Sequence, residues 1–385
     1  MAMKKRIILC AVVFVLTFVT VIAPAFADDS KLSGNADLHQ DVTDSKNNIA
    51  DLEKNIGQNA NQHERLLQPK LSGLEFTGGI SAGFFYASNP GKEASDYGFL
   101  LSNFLVEVSS KDDLPVGFVG ALGETSTPSL LDPPENNYNL DLEYASLTLN
   151  LNMDISLEAG LLQPNAGFEN TYTFNNVNVI LGVLASQQPY NAYGARLGHE
   201  VNDLHLYVGF YKERLDNEEY EVNGSAPNNT WEIGVGGSIL DYKFSIYHYH
   251  LVGLRNLTGV VVERTIRNIY LAFNIDYWSW DSQMDGFYGR KSSIGGAVYV
   301  CPRFGPFSLP VRLEFIDQGK SRIYSESLAT EHIYTATISP TYSFYENAYV
   351  RVESAYVNAD AAFADKSGTC KNYRISLAAE VGYLF

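Results

Sequence analysis

From Gly73 to the last residue, apolar and polar positions alternate with a period of two, and the pattern rarely lapses. Stretches such as "GLEFTGGISAGFFYAS", "LHLYVGFYKE", "FSLPVRLEFI" and "NYRISLAAEVGYLF" each put one set of side chains on each side of a strand. Connections alternate between tight turns, as at Asn202-Asp203 and Leu240-Asp241, and longer polar stretches, as at 125–137, 214–229 and 318–330. A meander whose two ends face different compartments has this form. The run 259–280 is too long for one strand of about 9–11 residues and is split near Arg267-Asn268. That split gives about 16 strands, with fourteen as the alternative; an even number closes antiparallel with both termini on one side. Within 140–151 the apolar parity slips from Leu140, Leu142 and Tyr144 to Leu147, Leu149 and Leu151, as a bulge would cause.

Two architectures use such a chain: a soluble β-sandwich with apolar faces packed together, or a closed barrel with its apolar face in lipid. The single long meander, aromatic residues near strand ends and the terminal Phe385 favour the barrel. The expected fold is therefore all-β, a transmembrane antiparallel up-and-down barrel over 73–385. The terminal aromatic strand is expected to be read by the barrel-assembly machinery through Phe385.

The chain begins differently. Lys4, Lys5 and Arg6 precede an apolar run from Ile7 to Ile22, and Ala25-Phe26-Ala27 supplies small residues for cleavage. Residues 1–27 read as a secretory signal peptide, which places the chain in the export pathway and, with the barrel, in the bacterial outer membrane. Residues 28–70 are polar and without aromatics, yet Val42, Ile49 and Ile56 recur every seven residues with Leu38, Leu52 and Leu66 in the second heptad position. A short periplasmic coiled-coil helix is expected there, with a linker as the alternative.

Loss of the signal peptide removes three basic residues, so the formal charge of −17 becomes about −20. Nucleic acid is excluded as a partner, and a cation-attracting interior or acidic loops fit better. Cys301 and Cys370 have no metal-ligand spacing, and as residues at opposite ends of the barrel they are not expected to pair with each other. His248 and His250 read as polar lumen or aqueous-rim residues rather than a metal site. No Gly-x-Ser-x-Gly elbow is expected, and no histidine stands beside a candidate serine with a recognisable orienter, so neither catalytic residues nor a cofactor is expected.

The candidate site residues follow from parity. With Val311, Leu313 and Phe315 towards lipid, Arg312 and Glu314 point inwards; Arg351 and Glu353 repeat the device, and Arg374 and Glu380 share the inward face of the last strand. A charge on the lipid face would cost about 2–4 kcal/mol near the midplane. These residues, with Glu169 on a loop, are expected to line the pore and sort solutes by charge, or to stiffen the wall as an ion-pair ladder. Reversal of Arg312 and Arg351 is then expected to shift ion preference while the barrel stays folded. The loop 164–191 carries "VNVILGVLAS", too apolar for water, and is expected to turn inwards at Pro164 and Gly167 as a short helix against the wall, with an outward β-hairpin packed on a neighbouring loop or subunit as the alternative.

The segments "LDLEYASLTL", "LEAGLLQPNAGFEN", "QQPYNAYGARL", "VRLEF" and "VRVESAY", in this order, resemble the OmpL-like family of β-barrel porins. The matching positions are Asp141, Glu143, Gly160, Gly167, Glu169, Pro189, Tyr190 and Gly194, with Arg312/Glu314 and Arg351/Glu353. The resemblance implies a water-filled channel in the outer membrane; small hydrophilic solutes or ions, outer-membrane lipids and a second copy of the chain are the partners expected. The other reading is a structural barrel that residues 28–70 tether or oligomerise.

Overall fold

The computed structural model describes residues 74–385 except 92–95, 111–113, 132–138, 152–153, 213–228, 252–254, 281–291, 319–331 and 346. The signal peptide and the helix expected within 28–70 lie outside the described residues. The first half of the wall is β1 (Leu74–Ala87), β2 (Tyr97–Ser110), β3 (Val116–Thr125), β4 (Asp141–Asn150), β5 (Ile155–Leu162), β6 (Ala192–Val201), β7 (Leu204–Lys212), β8 (Thr230–Ile239) and β9 (Tyr242–Leu251). The second half is β10 (Arg255–Ile266), β11 (Ile269–Trp280), β12 (Ser292–Phe304), β13 (Phe307–Ser308), β14 (Val311–Asp317), β15 (His332–Ile338), β16 (Thr341–Phe344), β17 (Ala348–Ala364) and β18 (Cys370–Leu384).

Each strand pairs antiparallel with its neighbours, and β1 pairs with β18, so the sheet closes. Two crossings are interrupted where proline removes a ladder donor: Pro310 separates β13 from β14, and Pro340 separates β15 from β16. Ser339 N–H reaches Pro310 O at 2.9 Å, so the breaks lie side by side. The eighteen segments thus make a barrel of sixteen crossings. The split expected in 259–280 is the Arg267-Asn268 turn between β10 and β11, with Arg267 at φ 55°. The expected slip in β4 is a bulge: Ala121 pairs with Tyr144 and Leu122 with Leu142, leaving Glu143 extra.

The last strand shows how alternation becomes a wall. Leu377, Val381 and Tyr383 are exposed on the outer face, whereas Ser376, Ala378 and Glu380 are buried on the inner one. Phe385 completes the seam: Gly78 N–H donates to Phe385 O at 2.9 Å, and Phe385 N–H donates to Gly78 O at 3.0 Å. Gly78 is required there, because a Cβ would sit 2.8 Å from the Phe385 ring.

Short turns gather at the end of the barrel that carries Asn202, Leu240, Arg267 and Gly305, and most of the longer connections at the other. By the usual arrangement the short-turn end is periplasmic. At the outer end, the Ser367 hydroxyl and then the Thr369 backbone N–H hold the Asp365 carboxyl at about 2, pinning the β17–β18 turn. Cys301 is buried and pairs across the ladder with Tyr270 near the periplasmic turns; Cys370 is exposed at the outer end beside Ala364; both are free. A membrane-impermeant maleimide added to intact cells is therefore expected to label Cys370 and spare Cys301. Labelling of Cys301 alone would invert this orientation.

Candidate functional site

The chain between β5 and β6 does not leave the barrel. Residues 163–191 fold into the lumen, where Val179, Ile180, Val183 and Leu184 are each no more than 2% exposed. They join a core with wall residues Ala297, Ile316, Ile333 and Val357. The inward course is as expected from the sequence, but the expected short helix is not formed. The segment has 3-10 turns at Thr173–Asn175 and Ala185–Gln187 and is otherwise irregular. The physical reason is where its backbone N–H groups go: they serve wall carboxylates rather than carbonyls one turn back.

Glu353 accepts from Val179 N at 2.6 Å and Ile180 N at 3.0 Å, and Glu314 accepts from Val183 N at 3.3 Å and Leu184 N at 3.0 Å. Glu169, on the loop itself, accepts from Gly182 N at 2.7 Å. The arginines take the carbonyls. Arg312 donates to Ile180 O at 2.8 Å and to Glu169 at 2.5 Å, with its Nε 3.5 Å from Glu314. Arg351 donates to Asn176 O at 2.7 Å, Thr173 O at 2.9 Å and Glu380 at 2.7 Å. Thr173 donates its hydroxyl to Glu380. Arg374 holds a different segment, donating to the carbonyls of Leu130 and Leu131 in the β3–β4 connection. Leu130 N in turn donates to Leu181 O at 3.1 Å, bracing the inner loop from outside.

All seven residues singled out from sequence therefore point inwards, and six of them meet on one loop. They do not stand free in the lumen: Arg312 and Glu353 have no exposed surface, and none of Glu314, Arg351, Arg374 and Glu380 exceeds 5%. Four carboxylates in this clamp face two guanidinium groups, and paired backbone N–H donors supply the remaining stabilisation. The expectation that reversing Arg312 and Arg351 leaves the structure intact is corrected by this burial, since each reversal would set a carboxylate against carboxylates and carbonyl oxygens.

Sequence reasoning passed over the residues that pin the loop's two ends. At its start, Asn165 N–H donates to Glu232 at 3.0 Å, and Glu232 also accepts from Tyr211 at 2.7 Å. At its end, Gln188 donates to Asp276 at 2.8 Å, which accepts from Tyr247 at 2.6 Å as well. Gly167 lies between the ends at φ +90°, where a Cβ would come within 1.8 Å of the Gln188 side chain. Gly167→Ala is expected to cost at least about 1–2 kcal/mol, the penalty for a side chain in this region of φ. A fall in the thermal unfolding midpoint in detergent checks it; an unchanged midpoint refutes it.

On the β5–β9 side the loop leaves a cavity of about 340 Å3 lined by residues that include Glu158, Asn165, Arg196, His205 and Tyr207. Arg196 pairs with Glu158 at 2.6 Å and donates to Gln163 O at 3.0 Å. Tyrosine rings lie flat over glycines of adjacent strands, Tyr207 over Gly234 and Tyr247 over Gly259, instead of standing into the lumen. Glu158, Arg196, Glu232 and Asp276 carry the signal that located Arg312 and Arg351: a single charge on the inward parity of an apolar alternation.

Two remaining motifs are placed by the structure. His248 and His250 face outwards around Trp231, with ring centroids 5.1 and 5.3 Å from it, so the lumen half of their expected placement is corrected. Ser81 occupies a Gly-x-Ser-x-Gly run at 79–83, a pattern that forms a strand-to-helix elbow in hydrolases. Here it lies within β1, 1% exposed, with its Oγ 2.8 Å from Thr173 Oγ1.

Among solved structures, OmpT of Vibrio cholerae (in-vitro folded, an outer membrane protein) superposes with a TM-score of 0.54 at 12% identity, covering 83% of this chain and 100% of that one. An anion-selective porin from Comamonas acidovorans superposes with a TM-score of 0.53 at 8% identity, covering 81% and 99%. At such identities the likeness is one of fold. No curated protein sequence matches the chain. The family described as "Putative beta-barrel porin-2, OmpL-like" matches residues 73–385, the whole barrel. The chain belongs to this OmpL-like family of β-barrel porins, and its place is the bacterial outer membrane.

Proposed function

We propose that the barrel is a passive diffusion channel for small hydrophilic solutes and ions, with its size limit set by the clamped inner loop. The observation that carries this reading is the loop itself. A sixteen-crossing barrel is wide enough to hold an aqueous channel, and a segment tied across the lumen to β8, β11, β14, β17 and β18 narrows it. The polar cavity beside the start of the loop, along β5–β9, gives a solute somewhere to go. Arg312, Glu314, Arg351, Glu353, Glu380 and Glu169 act on the solute through the loop position they fix. Direct contact falls to the cavity side, where Glu158 and Arg196 keep 23% and 15% of their side chains exposed and Glu200 and His205 keep more.

Acidic side chains predominate on the inner wall and loop, among them Glu107, Glu158, Glu232, Asp276, Glu314 and Glu380. The channel is therefore expected to prefer cations. Purified protein in planar bilayers under a salt gradient should show stable conductance steps and a reversal potential on the cation side. Absence of any step would end the channel reading, whereas an anion-side potential would overturn only the selectivity.

Assembly is proposed to depend on Phe385, through both the seam hydrogen bonds and recognition by the barrel-assembly machinery. Deleting Phe385 is expected to lower the amount of heat-modifiable barrel in the outer membrane several-fold. Unchanged levels would leave it a seam residue alone.

A further inference from the structure

The cavity beside β5–β9 takes no part in the clamp, and its lining has a specific chemistry. Arg196 Nη2 donates to Glu158 Oε2 at 2.6 Å, and Glu158 Oε1 accepts from Ser146 Oγ at 2.8 Å. The two charges already satisfy each other. An anionic solute would have to draw Arg196 away, leaving Glu158 uncompensated, and a cationic one would do the reverse. A neutral vicinal diol makes neither demand: one hydroxyl accepts from the guanidinium while its neighbour donates to the carboxylate, and the ion pair survives.

Beside this pair the His205 and Tyr207 rings stack, with centroids 5.6 Å apart and planes 26° apart. His205 is held by Glu200 at 2.6 Å, and Tyr207 donates to Asn165 O at 3.3 Å, so the inner loop forms the roof. The His205 ring, with 37% of its side chain exposed and the buried Tyr207 ring behind it, offers a flat surface of the kind that accepts the C–H face of a saturated sugar ring. Glycine keeps the space open: a Cβ on Gly198 would lie 2.9 Å from both His205 Cε1 and Ser156 Oγ. The volume of about 340 Å3 falls at the small end of the ~300–1,000 Å3 typical of small-molecule pockets.

We infer that this cavity is a binding subsite for a neutral polyhydroxylated solute of one or two sugar rings, and that it discriminates against charged analogues. The inference rests on the channel reading only for the route by which the solute arrives. Arg196 and Glu158 supply the paired hydroxyl contacts, His205 and Tyr207 the ring surface, and Asn165 ties occupancy to the position of the loop.

The test is calorimetric titration of the full-length protein in detergent with glucose and sucrose, and with glucuronate and glucosamine at matched ionic strength. Saturable heat is expected for the neutral sugars, with glucuronate and glucosamine at least tenfold weaker. Glu158→Gln and Arg196→Gln should each weaken neutral-sugar binding at least fivefold, and Gly198→Ala should abolish it by filling the space, with heat-modifiable gel mobility confirming folded barrels. No saturable heat for either sugar, equal binding of a charged analogue, or folded variants that bind like the parent would each overturn the subsite. Bilayer conductance separates the two claims. Sugar binding without conductance removes the channel and keeps the subsite; conductance without sugar binding does the opposite.

Discussion

Replacing residues 170–187 with a short Gly/Ser linker is expected to raise single-channel conductance severalfold and to admit larger sugars in liposome swelling. This segment carries Val179, Ile180, Val183 and Leu184, each contributing roughly 1.5–3 kcal/mol through burial, and the N–H groups that Glu314 and Glu353 accept. Its removal leaves the wall intact, because every strand keeps its ladder on both sides. The freed carboxylates then face water that enters the widened lumen, so they are not left buried and unpaired. Asn165 and Gln188 lie outside the replaced stretch and still fix the two ends of the linker. A variant that assembles but conducts like the parent would place the size limit elsewhere and refute the loop's role.

Arg312→Leu is expected to be the most damaging single substitution in the clamp. The side chain is fully buried and holds Glu169, Ile180 O and Thr337 while lying against Glu314. Leucine fills part of the space but leaves two carboxylates without their cation, and breaking a buried pair costs about 3–5 kcal/mol. The loss falls on the seating of the loop rather than on the sheet. Limited proteolysis should therefore cut within 163–191, and bilayer currents should become larger and noisier, while the heat-modified barrel persists. Arg312→Lys keeps the charge but not the planar fork, so an intermediate protease sensitivity is expected. Resistance of Arg312→Leu equal to that of the parent protein would show that the carboxylates hold the loop unaided.

The wall was largely legible from sequence because a strand exposes its two faces at a fixed spacing of two. The split at Arg267-Asn268, the slip at Glu143 and the inward placement of Arg312 and Glu353 all follow from counting parity. What parity cannot supply is a partner. Nothing local links Glu353 to Val179 or Glu314 to Leu184, since their distance along the chain is closed only by the barrel. The helix expected in 164–191 failed for the same reason: apolar residues at 179, 180, 183 and 184 are spaced as on a helix, but wall carboxylates compete for the N–H groups. Glu232 and Asp276 were readable as single acids within "TWEIGV" and "FNIDYW", and only their bonds to Asn165 and Gln188 give them meaning.

The seam at which β1 meets β18 sets Gly79 beside Leu384, and this imposes an order in time. The first strand to be synthesised waits for the last before its open edge is covered. The partners of the inner loop from Arg312 to Glu380 also emerge late, after most of the wall has been made. A chain cut short by even one strand is thus not a narrower barrel but a sheet with two bare edges and a loop that has lost Glu380. Contacts this distant in sequence are slow to form. A polypeptide bound for the outer membrane is therefore expected to stay unfolded until its last strand can pair.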